Sequence, residues 1–330
     1  SSYYTIHMAE KDWKHYLLKS GLPFEYEVKE CFAKNNCQVW DEYSYLKPDE
    51  NNLEKEFSYD IDVNYWDLSG DNSFTFLVEC KYKSEPTKWF FMPDPYCFQS
   101  ELSQNSFLHP IDHFSGKKFL FNKHPYYSIQ EPLGPFCLKG IEIYQNQYLE
   151  LNIFKAINQL SFAFVEQVIS SIQNQIEVEN FYETTFFNIP IIVTNAELYR
   201  INENVTTDQI EKAENIDTIS AKQDFLLFHN KIGESLRRHN FSSLSNYFIT
   251  IDEETLKGRN KSFTEDINHF IDVISRHYCP EIILIMHHDK EHKNYIKLFD
   301  YINFLIKPSD EREKAMQKVK SEWRRKMKEF

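Results

Sequence analysis

The chain has 330 residues, 42% of them hydrophobic and 16% aromatic, which is too apolar for a disordered protein and long enough to bury a large core. Its 7 glycines include no GxxxxGK[ST] and no GxGxxG, so the common phosphate-cradling loops are excluded. A net charge of −13 argues against a broadly basic surface and restricts any phosphate contact to a local groove.

The 6 cysteines (Cys31, Cys37, Cys80, Cys97, Cys137, Cys279) are scattered without a CxxC pair, as expected of reduced thiols in a cytoplasm rather than of a disulfide framework or zinc ribbon. No signal peptide is read, and no apolar run reaches the length of a bilayer span, so no membrane partner is expected.

Residues 10–35 read as helical, broken at Ser20-Gly21-Leu22-Pro23, with Pro23 in the first turn of the second segment. Phe24, Val28, Cys31 and Phe32 fall at helical spacing and predict its buried stripe. Gln38-Val39-Trp40 reads as a short strand and residues 47–55 as a polar loop. Two alternating segments, 57–65 and 74–83, flank the turn chemistry of Ser69-Gly70-Asp71-Asn72 and predict a β-hairpin.

Residues 86–150 read as irregular, with Lys117-Lys118 near the middle. A long amphipathic helix is expected over 150–176, through Ile153, Ile157, Leu160, Phe164 and Val168. Residues 190–194 have the all-apolar pattern of a strand buried on both faces. Strands are expected at 247–251 and 281–286. The stretch His287-His288-Asp289 to His292 reads as a solvated loop, since it completes no zinc spacing. A closing helix at 309–328 has an apolar stripe (Met316, Val319, Trp323, Met327) and an otherwise basic surface. The fold expected is α/β (α+β), a mixed central β-sheet flanked by helices.

With Gly70-Asp71 as a two-residue loop, Ile61 faces Cys80, Val63 faces Val78 and Tyr65 faces Phe76, giving one apolar face. The other face opposes Asp60 to Lys81 and Asp62 to Glu79. Opposed carboxylates repel, and a divalent cation between them converts that cost into a binding site. Glu79 and Lys81, two apart on a strand, share a face. Asp62 and Glu79 are therefore expected to hold Mg²⁺ (or Mn²⁺), with the Cys80 backbone carbonyl as a further ligand. Lys81 is expected to orient a water or stabilise charge developing on a phosphate. The bland alternative is a surface hairpin carrying an Asp60–Lys81 ion pair.

Asp62, Glu79 and Lys81 resemble the signature of the PD-(D/E)xK nuclease superfamily. That family places Asp on one strand and (Asp/Glu)-x-Lys on the next, after an N-terminal helix bearing a Glu. The Pro of the family name is absent from Ser58-Tyr59-Asp60-Ile61-Asp62-Val63. Leu22-Pro23-Phe24-Glu25 is similar to the family's helical Glu, which points to Glu25. Asn158-Gln159 is similar to the Gln that restriction-endonuclease-like members, Mrr-type enzymes among them, carry on the following helix. Residues 189–196 are similar to the strand that comes next.

The resemblance implies a restriction-endonuclease-like core over 1–204 with an 84–150 insertion. Residues 205–330 then form a C-terminal extension of that core or a small accessory domain ending in the basic helix. It further implies a metal-dependent deoxyribonuclease, an endonuclease hydrolysing DNA phosphodiesters, as effector of a bacterial anti-phage defence or restriction system. A partner protein of such a complex and an oligomer are both compatible with it. Two alternatives stay open: a non-catalytic nucleic-acid or protein-binding module on the same fold, and a nuclease directed at RNA.

Overall fold

The computed structural model describes residues 13–48, 53–94, 108, 110–116, 133–145, 147–149, 151–259, 267–277, 280–306 and 321. Helix α1 (Leu22–Lys34) starts at Gly21, whose φ of 84° suits a residue without Cβ, and has Pro23 in its first turn. Phe24, Val28, Cys31 and Phe32 are its buried residues, as their spacing predicts. The strands that follow are β1 (Gln38–Trp40), β2 (Tyr43–Pro48), β3 (Glu54–Tyr59), β4 (Ile61–Trp66), β5 (Asn72–Lys81), β6 (Lys88–Pro93), β7 (Pro110–Ile111), β8 (Phe136–Tyr144) and β9 (Gln147–Leu149).

Helix α2 (Leu151–Glu177) then leads to β10 (Thr185–Thr194). The remaining elements described include β11 (Glu197–Ile201), β12 (Ser220–Gln223), β13 (Phe225–His229), α3 (Glu234–Phe248), α4 (Ile267–His277), β14 (Ile282–His287) and α5 (Lys293–Ile306).

Twelve strands make one mixed sheet in the order β1-β4-β5-β10-β14-β13-β8-β6-β11-β12, with β7 beside β10 and β9 beside β8. Strands β2 and β3 pair separately. The fold is mixed α/β, a large central sheet flanked by helices. At its centre β10 is buried along its whole length and runs parallel to both β5 and β14. Parallel neighbours need a crossover, and between β5 and β10 the chain passes through α2.

Ile153, Ile157, Leu160, Phe164 and Val168 of α2 are buried in one core with Leu77 of β5 and residues of α3 and α4. Phe24, Val28 and Phe32 of α1, with Leu298 and Ile302 of α5, fill the other core against Phe74, Phe76 and Val78 of β5. Each such side chain contributes roughly 1.5–3 kcal/mol on burial. Strands β12, β13 and β14 belong to the same sheet, with β14 between β10 and β13, so the chain after residue 205 shares that sheet.

Several expectations are corrected. The two ends of the polar loop expected at 47–55 are strand instead, Lys47 and Pro48 of β2 pairing with Lys55 and Glu54 of β3, while residues 49–52 lie outside the described residues. Among the described residues of 86–150, expected to be irregular, strands β6 to β9 are found, with Trp89 and Phe91 alternating into the core. The strand at 247–251 is absent: Leu244 and Phe248 close a helical stripe with Leu236 and Asn240, so the short apolar run ends α3. Lys117-Lys118 and nearly all of the 309–328 helix lie outside the described residues.

Candidate active site

The hairpin at residues 61–81 differs from its predicted register by two residues, and this decides which acid meets Glu79. The expected two-residue loop is a four-residue one, 68–71. Asp67 and Asn72 still pair, the Asp67 N–H donating to the Asn72 carbonyl at 3.1 Å, and the Gly70 N–H closes a turn onto the Asp67 carbonyl at 3.0 Å. The Asp67 carboxylate accepts from the Asn72 N–H (3.1 Å), Asn72 Nδ2 (2.7 Å) and the Ser69 hydroxyl (2.7 Å). Asp at the first turn position with Gly at the fourth is type I chemistry, commoner in longer loops than in two-residue hairpins.

The observed pairs are Ile61↔Val78, Asp62↔Leu77 and Val63↔Phe76. Asp62 therefore does not face Glu79. A shift of two preserves the faces, which is why the apolar side of the hairpin still packs against α1.

One step beyond the last pair, Asp60 falls level with Glu79. The expected strand 57–65 breaks there: Tyr59 ends β3, Ile61 begins β4, and Asp60 is a bend between them. Its Oδ2 accepts the backbone N–H of Cys80 at 2.6 Å. Burial raises the Asp60 carboxyl above the ordinary range, opposed by Lys81 and by that hydrogen bond.

Glu79 is fully buried. Burial, then the Asp60 charge, pushes its carboxyl up to about 8 against the pull of Lys81. Lys81 bonds Glu79 Oε1. Burial pulls the ammonium down, but Glu79 and Asp60 outweigh it, so Lys81 stays charged, with 23% of its side chain exposed. Glu25 on α1 is raised by burial and by Asp60, while Lys29 and Lys81 lower it. Glu79 and Lys81 are thus bonded to each other, and the charges of Glu25 and Asp60 act on both.

The other expected residues sit differently. Asp62 Oδ1 accepts the Tyr59 hydroxyl at 2.6 Å, and burial raises its carboxyl against that bond. Gln159 reaches the site's frame rather than its acids, donating through Nε2 to the Ser58 carbonyl at 3.2 Å. Cys80 turns its side chain into the α1 core while its N–H serves Asp60.

Sequence reasoning missed Asp60 as the partner of Glu79. The signal was available in Asp67-Leu68-Ser69-Gly70, whose turn chemistry sets the longer loop. It also missed Tyr45, whose hydroxyl donates to the Gln159 carbonyl at 3.0 Å and whose ionisation the Glu79 charge opposes after burial.

The donor set fits a hard cation. Glu79 Oε2 is buried and has no hydrogen-bond partner among the described residues, which ordinarily costs about 1–3 kcal/mol or more for a charged group. Asp60 supplies a second carboxylate on the same level, and oxygen donors of this kind suit Mg²⁺, which keeps several waters of its own. Among the described residues no group of three or more His, Cys, Asp or Glu side chains is gathered to hold a metal. The fit is to two carboxylates rather than to an all-protein cage.

An open cleft lies next door at the carboxyl ends of β5, β10 and β14, lined among others by Phe24, Tyr82, Lys83, Asn195 and His287; Glu25, Asp60, Glu79 and Lys81 do not line it. His288, expected in a solvated loop, is buried there, Nδ1 to the Tyr295 hydroxyl at 2.8 Å. No helix described is long and apolar enough to cross a membrane. Compared with protein-family models, curated proteins and solved structures, the chain finds no match.

Proposed function

We propose that this chain is a Mg²⁺-dependent endonuclease, with DNA as substrate and with Asp60 and Glu79 as the acids that hold the cation. The observation that carries the reading is the buried Glu79 Oε2, which has no hydrogen-bond partner among the described residues, beside a second carboxylate and with a charged lysine alongside. Ionising both acids takes more positive charge than one ammonium supplies, so without a cation Glu79 keeps a proton until the pH rises through about 8, and a divalent cation would take that proton's place.

When bound, Mg²⁺ supplies Lewis acidity and a water acidified toward neutral pH. Asp60, fixed by the Cys80 N–H, presents its carboxylate from the strand break. Lys81, charged and partly open to solvent, stabilises negative charge developing on a phosphate oxygen. Glu25, on the neighbouring helix and raised in pKa by burial and by Asp60, would serve as the proton acceptor.

The arrangement of a Glu-bearing helix, an antiparallel pair carrying Asp60 and Glu79-Cys80-Lys81, a helix with Gln159 and a further parallel strand supports the likeness to PD-(D/E)xK nucleases. A role in bacterial restriction or defence, with a partner protein, follows from that likeness as analogy alone. The net charge of −13 favours one rival, a binding module that grips a partner without cleavage.

Plasmid DNA and a structured RNA, each incubated with Mg²⁺ and with wild type or Lys81→Ala, test the proposal. Metal-dependent cleavage by wild type alone supports it. Identical behaviour of the two proteins ends the catalytic claim, and cleavage of RNA alone reassigns the substrate.

A further inference from the structure

Asp62 is engaged in a set of bonds that does not include Glu79. Its Oδ1 accepts the Tyr59 hydroxyl at 2.6 Å, and Gln167 Nε2 on α2 donates to the same hydroxyl oxygen at 2.9 Å. Tyr59 is fully buried, and its ring stacks on Tyr43 with centroids 5.2 Å apart. Three elements are thereby tied at one point: helix α2, the last residue of β3 and the second residue of β4.

Asp60 lies between the two strand residues so held. As a bend outside both ladders, it has no strand pairing to fix its backbone. Its carboxylate is held by the Cys80 N–H, and whether the bend delivers it to that N–H depends on what restrains the neighbouring residues. Upstream, Gln159 on the same helix holds the Ser58 carbonyl at 3.2 Å. The hydroxyl of Tyr59 donates to one partner and accepts from another, which fixes its rotor as well as its ring.

We propose that Asp62, Tyr59 and Gln167 form a positioning relay that aims the Asp60 carboxylate, Asp62 acting as a hydrogen-bond acceptor and not as a metal ligand. The role in cation binding rests on the reading above; the aiming of Asp60 at the Cys80 N–H does not. Outer partners of this kind orient ligands, and their loss typically weakens metal binding by about 10–100-fold.

Side-chain chemistry separates the two roles for Asp62. Asp62→Asn keeps an oxygen to accept from Tyr59, while Asp62→Leu and Tyr59→Phe remove the bond; Tyr59→Phe also preserves the ring packing and so guards against unfolding. The first readout needs no metal. The Cys80 amide proton, followed by NMR, is expected to move upfield and exchange faster in Tyr59→Phe and Asp62→Leu, and to stay put in Asp62→Asn.

The second readout is Mn²⁺ affinity by calorimetry. The expected result is a loss of about tenfold or more in Tyr59→Phe and Asp62→Leu, with Asp62→Asn within about twofold of wild type. A Cys80 amide that ignores Tyr59→Phe overturns the relay, as does an equal loss of affinity in Asp62→Asn and Asp62→Leu. Wild type that binds no Mn²⁺ while the amide responds as expected sinks the cation site and leaves the relay supported.

Discussion

Asp60 and Cys80 meet where the pairing of β4 with β5 runs out, the aspartate Oδ2 taking the Cys80 N–H at 2.6 Å. That single bond locates a carboxylate beside Glu79 from a residue that belongs to neither strand. Because Cys80 sits between Glu79 and Lys81, the same bond fixes Asp60 relative to both. The chemistry proposed for this chain follows from that placement.

Burial and crowding of the acids give the site a definite pH dependence. Glu79 is held at about 8, and Asp60 and Asp62 are raised in the same direction. Between the unfolded value of 4.5 and about 8 the folded chain keeps a proton on Glu79 that the unfolded chain has lost. This contribution to stability is therefore complete below the unfolded value and lost as pH rises through about 8. The urea midpoint of the metal-free protein should fall between about pH 5.5 and about pH 8.5, and Mg²⁺ should restore it at the higher pH.

A cation must also displace that proton, so Mn²⁺ affinity should rise by up to about tenfold per pH unit from roughly pH 6, levelling above about pH 8. Calorimetry in buffers of different ionisation enthalpy counts the protons released. Affinity independent of pH over this span would place the cation away from Glu79.

The loop that sets the register should be costly to alter. Asp67→Ala removes three hydrogen bonds from the loop and is expected to lower stability by ~1–2 kcal/mol, read from urea denaturation. Gly70 has φ 72°, and a Cβ there meets nothing within 4 Å. The cost of Gly70→Ala is then backbone strain alone, again ~1–2 kcal/mol. A neutral Asp67→Ala would show that strand packing alone holds the register.

Much of this frame was legible in the sequence because its signals are periodic. The stripe Phe24, Val28, Cys31, Phe32 and the run from Ile153 to Val168 each bury one helical face, and both helices appear within a residue or two of expectation. The apolar face of the hairpin was legible for the same reason, since alternation survives a shift of two. The register itself was not, because it depends on loop length, and Gly70-Asp71 mimics a two-residue turn while Asp67 builds a longer one. The break at Asp60 was hidden too, since alternation runs unbroken from Phe57 to Tyr65 across a bend that only the separate pairing of β3 creates.

Gln159 tests how far the site extends into α2. Its side chain supports the Ser58 carbonyl, while the Tyr45 hydroxyl uses its main-chain carbonyl and survives substitution. Gln159→Ala should cost ~1 kcal/mol in stability and slow cleavage less than Lys81→Ala does. Equal loss in the two variants, measured as specific activity at saturating Mg²⁺, would mean that Gln159 touches the reacting atoms.

The identity of the metal-holding acid is read most directly from plasmid cleavage with Mg²⁺ by Asp60→Asn and Asp62→Asn beside wild type. Asp60→Asn is expected to lose cleavage by at least about 100-fold, as removal of a metal ligand does, while Asp62→Asn retains most of it. The opposite ranking, or cleavage untouched by Asp60→Asn, would contradict that assignment.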